Sequence, residues 1–327
     1  MKNSKNAYIG QFQQIFGVEE HRLVGGRGDG MRLLQIRNGN GLEMTLSLDR
    51  CADISRLSFG GDNFGYFAPC GYVAPTYYDA KGVGFLKSFT AGFLTTCGLN
   101  NVGSPCTDEG EELPLHGTIS HVAAEQVGYW IDDNSIHVKA VMRDALLFGH
   151  GLLLEREYIV PIFGNGFSLH DTVTNVGLTD EPLEMLYHCN VGYPLLDENA
   201  ELLIPSTEVT PRNEHAATGI ADWAKIEQPQ SGYEEMCYFH KMDGNTTVTV
   251  QNRKLGKGFS MSYDTAELPF FTEWKMMGER DYVLGVEPGN ALPDGRDVMR
   301  NRGLLEFLAP GAKKEHHIQF TVFNTED

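Results

Sequence analysis

Three residues in this chain have the types that proton transfer needs, and each lies next to a turn. "YVLGVEPGNALPDGRD" (282–297) carries Glu287 at the end of an apolar stretch, with Pro288 and Gly289 turning the chain at once. A carboxylate at a strand end beside a loop is well placed to face a cleft, where partial desolvation raises its pKa and makes it a better base. "MLYHCNVGYPLL" (185–196) holds His188 in an apolar run ended by Gly192 and Pro194. "ELPLHGTISHVAAEQV" (112–127) holds His116 between Pro114 and Gly117. An imidazole changes charge near neutral pH, so it can complement a carboxylate as proton donor. Any one of the three, taken alone, reads as a hydrogen-bonded structural side chain. The case rests on the set.

Other chemistries have less support. "GGRGDGMRLLQI" (25–36) is glycine-rich but lacks both nucleotide-binding spacings, and a strand pattern follows it instead of a helix. His116 and His121 lie five apart, His316 and His317 are adjacent, and no H-E-x-x-H occurs, so no metal site is expected. There is no G-x-S-x-G. Cys189 follows His188 directly, but neighbours on a strand face opposite ways, so the two do not form a nucleophile–base couple.

The elements that must position the three residues are strands. "EMTLSL" (43–48), "SIHVKAVMR" (135–143), "TTVTVQN" (246–252) and "HIQFTVF" (317–323) alternate apolar and polar residues with period two. Turns such as "FGGDN" and "FGNG" punctuate them. Helical signals are few. "AYIGQFQQIFG" (7–17) places Ile9, Phe12, Ile15 and Phe16 on one face and predicts a short N-terminal helix, while 211–235 reads as a long irregular loop. Strands without alternating helices predict an all-β chain, a large antiparallel β-sandwich with few short helices. No linker-like break appears, so residues 1–327 are expected to form a single domain.

The 26 Lys and Arg against 44 Asp and Glu give a formal charge of −18, which repels phosphate backbones and anionic headgroups. Neither nucleic acid nor a membrane surface is an expected partner. No stretch has the length of apolar sequence that a spanning helix needs, and the N-terminus lacks a continuous apolar signal-peptide core. Six cysteines without a C-x-x-C pair suit a reduced, cytoplasmic setting.

The segments "LDRCADI", "TTCGLNNVGSP", "LHGTIS", "YHCNVGYPLL", "EWKMMG" and "GVEPGN" leading to "LAPG", in this order, resemble the aldose 1-epimerase (galactose mutarotase-like) superfamily, and within it the DUF4432 branch. The resemblance spans most of the chain. It implies a large antiparallel sandwich with a sugar groove on one sheet. It also implies His188 as general acid toward the ring oxygen, Glu287 as base toward the anomeric hydroxyl and His116 as the second histidine at the ring oxygen. The implied activity is a cofactor-free mutarotase acting on a small-molecule sugar, and a homodimer is compatible with it. The aspartate that relatives place on the sugar hydroxyls has no counterpart here. Arg50, Asn100 and Lys275 are the expected substrate contacts instead, to hydroxyls or to an anionic substituent. Two rival readings keep the scaffold: another sugar isomerase or epimerase, with or without a metal, and a non-catalytic carbohydrate-binding module.

Overall fold

The computed structural model describes residues 7–325. The expected strands form where period two predicts them, at Leu42–Ser47, Ser135–Ala145, Asn245–Asn252 and Lys313–Asn324. Ile136, Val138, Ala140 and Met142 all point into the core, while residues 137 and 139 between them stay at least partly exposed.

Three antiparallel sheets make up the body. An eight-stranded sheet runs from Gln126–Ile131 at one edge, through Ser135–Ala145, Gly151–Pro161 and Gly166–Asn175, to Lys313–Asn324 and on to Ala200–Leu203. A seven-stranded sheet has Phe270–Met277, Tyr282–Gly289 and Glu181–Val191 as consecutive neighbours, with Leu94–Leu99 paired to the last of these. A five-stranded sheet built from residues 17–63 covers one end. Together they are the large antiparallel β-sandwich that the alternation predicts.

One run of aromatic rings links the five-stranded and eight-stranded sheets and takes in Phe93, which directly precedes Leu94–Leu99. Phe59 meets Phe64, Phe64 meets Phe259, Phe259 meets Phe93, and Phe93 meets Phe320, with centroids 5.3 to 6.5 Å apart. Each fully buried ring contributes about 1.5–3 kcal/mol. Strand parity then decides what faces the core. On Glu181–Val191, Tyr187, Cys189 and Val191 belong to the main hydrophobic cluster, so Leu186, His188 and Asn190 take the other face. That outer face carries the cavity described below.

The N-terminal helix shrinks to a single 3-10 turn, Phe12–Gln14. Gly10 and Gly17 bracket a run too short to nucleate an α-helix, and Gly17 already begins the first strand. The 211–235 region is irregular apart from two turns, Glu214–Ala217, capped by Asn213 through a 2.8 Å bond from Ala216 N–H, and Ile220–Asp222.

Candidate active site

The seven-stranded sheet sets the floor of the cavity by register. Thr272 pairs with Glu287 and Trp274 with Gly285, while Cys189 pairs with Val286 on the other side, which brings His188 beside Glu287. His188 Nε2 lies 3.2 Å from Glu287 Oε1, and both side chains are buried. Gly285 makes room for this carboxylate, because a Cβ there would collide with Glu287 Oε1. His116 arrives from a loop, and its ring centroid is 5.5 Å from that of His188. The structure therefore brings together all three residues singled out for acid–base chemistry. The cavity they share, with Phe85, Phe89, Arg212, Glu235 and Trp274 among its walls, measures about 320 Å³. That is within the small-ligand range of about 300–1,000 Å³.

His116 is held in an unusual conformation, with φ at +59°. A non-glycine residue there costs on the order of 1–3 kcal/mol and persists only where its surroundings fix it. Three bonds do so. His116 N–H donates to Gly103 O at 2.9 Å, Gly98 N–H donates to His116 O at 3.0 Å, and Gly103 N–H donates to His116 Nδ1 at 3.2 Å. With Nδ1 accepting, the ring proton belongs on Nε2, so a neutral His116 is a hydrogen-bond donor. Burial, helped by His188, holds its pKa well below the ordinary histidine value and keeps it neutral.

Burial acts on both floor residues. Burial pushes the Glu287 carboxyl well above the usual carboxylate range; Glu235 adds to the rise and Arg212 opposes it. Burial also lowers His188 to about 4. Aromatic rings supply much of the dry surroundings, with Phe89 and Trp274 each 5.3 Å from the His188 ring. Both shifts favour the neutral forms, with a proton on Glu287 and none added to His188.

Arg50, Asn100 and Lys275 do not join the cavity. The Arg50 guanidinium donates to the carbonyls of Val73 (3.2 Å), Ser88 (2.5 Å) and Ser120 (3.0 Å), so it fastens both feet of the 74–87 segment that roofs the site. Asn100 is buried, and its backbone carbonyl accepts from Arg296 at 3.1 Å. Lys275 follows Trp274 and so takes the opposite face of the sheet. It donates there to Asp222 O at 3.2 Å and pairs with Glu227 at 3.0 Å. No basic residue among the three is free to meet an anionic substituent.

Arg212 and Glu235, not singled out in the sequence, do line the cavity. They sit at the two ends of the irregular 211–235 segment. Arg212 is fixed by Asp294 (3.1 Å), Ser104 Oγ (2.9 Å) and Pro293 O (2.9 Å). Glu235 accepts from Trp274 Nε1 at 2.7 Å. The available signal was position: charges at loop–strand junctions.

Comparison with known proteins agrees with this architecture. Residues 28–322 match the family described as domain of unknown function (DUF4432). The chain belongs to the DUF4432 family. Among solved structures, a "putative aldose 1-epimerase" from Klebsiella pneumoniae superposes with a TM-score of 0.90 at 27% identity, covering 96% of this chain and 86% of that one. A galactose mutarotase-like protein from Clostridium acetobutylicum gives 0.70 at 13% identity, over 95% of this chain and 100% of that one. Galactose 1-epimerase from Lactobacillus acidophilus gives 0.62 at 11%, over 95% and 100%. The latter two likenesses establish the fold alone. Among curated proteins there is no match. Among the described residues, no helix is long and apolar enough to cross a membrane.

Proposed function

We propose that this DUF4432 protein is a mutarotase, interconverting the anomers of an aldose by acid–base catalysis without a cofactor. One observation carries the reading: the 3.2 Å contact between His188 and Glu287 at the floor of the cavity, with the His116 ring beside it. The anomeric hydroxyl and the ring oxygen are bonded to the same carbon, so two catalytic groups in contact with each other reach both at once. The name of the Klebsiella relative supports the same class of reaction.

The steps balance with one proton on the pair. With that proton on His188, Glu287 is a carboxylate. Glu287 takes the C1 hydroxyl proton as His188 gives its proton to the ring oxygen. The C1–O5 bond breaks, C1 becomes a carbonyl, and C1–C2 rotation lets the ring close on the other face as both protons return. At the open-chain stage the pair holds its proton on Glu287, the arrangement that burial favours, so the site's electrostatics lower the energy of the intermediate. Neutral His116 donates through Nε2–H to the ring oxygen and orients it.

Proton–proton exchange by NMR, or polarimetry on freshly dissolved aldoses, tests this directly. Acceleration for at least one sugar is expected; exchange at the uncatalysed rate for every aldose sinks the reading. The pH profile carries a sign. A second proton on the pair requires His188 to titrate, so kcat/KM falls as pH drops through about 4. Loss of the last proton requires Glu287 to ionise, which sets the alkaline limb. Glu235 raises the Glu287 pKa, so Glu235→Gln is expected to move that limb to lower pH, and Arg212→Gln to higher pH. Limbs that stay in place in both variants count against the pair as the titrating unit.

A further inference from the structure

The lining of the cavity is of two kinds. Arg212, Glu235, Ser104 and Thr272 are polar, and Arg212 bonds Ser104. Val83, Phe85, Leu86, Phe89 and Leu115 are apolar, and Phe85, Phe89 and Leu115 pack in one cluster. Of these, Phe85 and Phe89 lie deep, 5.3 Å from the rings of His116 and His188 respectively. Val83 and Leu86 lie at the mouth, each 58% exposed.

The 83–89 segment also withholds its polar groups. Lys87 Nζ pairs with Asp79 at 2.7 Å, and Ser88 Oγ lies 3.0 Å from His121 Nε2, behind the wall. Three of its backbone amides are bonded locally: Gly84 N–H to Lys81 O, Leu86 N–H to Val83 O and Ser88 N–H to Phe85 O. A hydroxyl against this wall meets no polar side chain, only the water that the mouth admits, whereas a methyl group buries apolar surface against Val83 and Leu86. Arg212, meanwhile, is already paired with Asp294 and shares the cavity with Glu235, so its charge is balanced. An anionic substituent gains no free cation.

From this we infer that the substrate is a neutral 6-deoxyaldose, its hydroxyl edge toward Arg212 and Glu235 and its methyl group against the Val83–Leu86 wall. The inference rests on the mutarotase reading for its assay but not for its binding geometry. A site of this kind discriminates between a methyl and a hydroxymethyl group by about ten- to a hundredfold.

The test uses sugars matched in configuration and differing only at C6: D-galactose, D-fucose and L-arabinose; L-galactose, L-fucose and D-arabinose; and L-mannose with L-rhamnose. Anomeric exchange is measured by NMR for each, and binding by saturation-transfer NMR with titration. In the best-accepted series the deoxyhexose is expected to exceed its hydroxymethyl partner by about tenfold or more in kcat/KM and to exceed the pentose as well. Leu86→Ser and Val83→Ser change exposed residues, and each is expected to shrink that preference several-fold. Parity within the series, or a preference for the hydroxymethyl sugar or the pentose, overturns the inference while leaving the mutarotase reading intact. Exchange with none of the sugars sinks the mutarotase reading instead. Binding then decides: a tighter deoxyhexose sustains the inference, and equal or undetectable binding across each series overturns it.

Discussion

Glu287→Gln is expected to lower sugar exchange by about 10³-fold, within the usual range of about 10²–10⁴ for a positioned acid or base. Glutamine has the same shape and keeps a carbonyl oxygen beside His188, but it can neither take the anomeric proton nor share one with the imidazole. Stability distinguishes this loss from damage to the fold. Burial raises the folded-state pKa of Glu287 above its unfolded value. Its favourable contribution is therefore present below the unfolded pKa and lost as pH rises through the folded one. Near pH 8 the wild-type protein bears that loss and the glutamine variant does not. The variant should melt at or above the wild-type temperature at pH 8, with the gap closing toward pH 5. A variant that loses exchange and also melts lower at pH 8 would make Glu287 a structural residue. His188→Asn is the companion, with an expected loss of about 10²–10³-fold.

The sequence was most informative where chemistry and periodicity coincide. Alternating strands declare which residues share a face, so the parity that separates His188 from Cys189 was readable in advance, and the sandwich followed from it. Parity does not say which of two faces is the core. On Phe270–Met277 the pairs Thr272/Trp274 and Glu273/Lys275 are both plausible toward a ligand, and the chosen Lys275 turned out to face the 220–227 segment. Arg50 misled for a related reason. A guanidinium can bind a sugar or gather three carbonyls, and only the tertiary fold brings Val73, Ser88 and Ser120 around it. Arg212 and Glu235 flank a segment with no period at all, so nothing local could aim them at the same cavity. The apolar wall was hidden likewise, because "VGFLKSF" gives no sign that its lysine turns out to Asp79 and its serine turns back to His121.

What keeps the floor of the site in register is a buried ion network, and breaking it should cost the most stability. Arg156 donates to both Asp171 oxygens, at 2.9 and 2.7 Å, to Asp53 at 2.7 Å, to Cys51 O at 3.0 Å and to Thr96 Oγ1 at 2.8 Å. Asp53 comes from the five-stranded sheet, Arg156 and Asp171 from the eight-stranded sheet, and Thr96 from the strand paired with His188's own. Tyr187, adjacent to His188, donates to Asp171 at 2.9 Å. Removing one partner from such a network leaves uncompensated buried charge, so Arg156→Met is expected to lose about 3–5 kcal/mol in denaturant unfolding. The cost lies in the stranded carboxylates, not in the absent bonds alone. Arg156→Met combined with Asp53→Asn and Asp171→Asn removes those charges and is expected to recover a good part of the loss. A triple variant no more stable than the single one would show that the guanidinium holds the three sheets together through its geometry rather than its charge. Restored stability without restored exchange would place the network's value in the alignment of the Tyr187–His188 strand, since a displacement of about 1 Å at a proton-transfer contact is enough to cost about 10²-fold in rate.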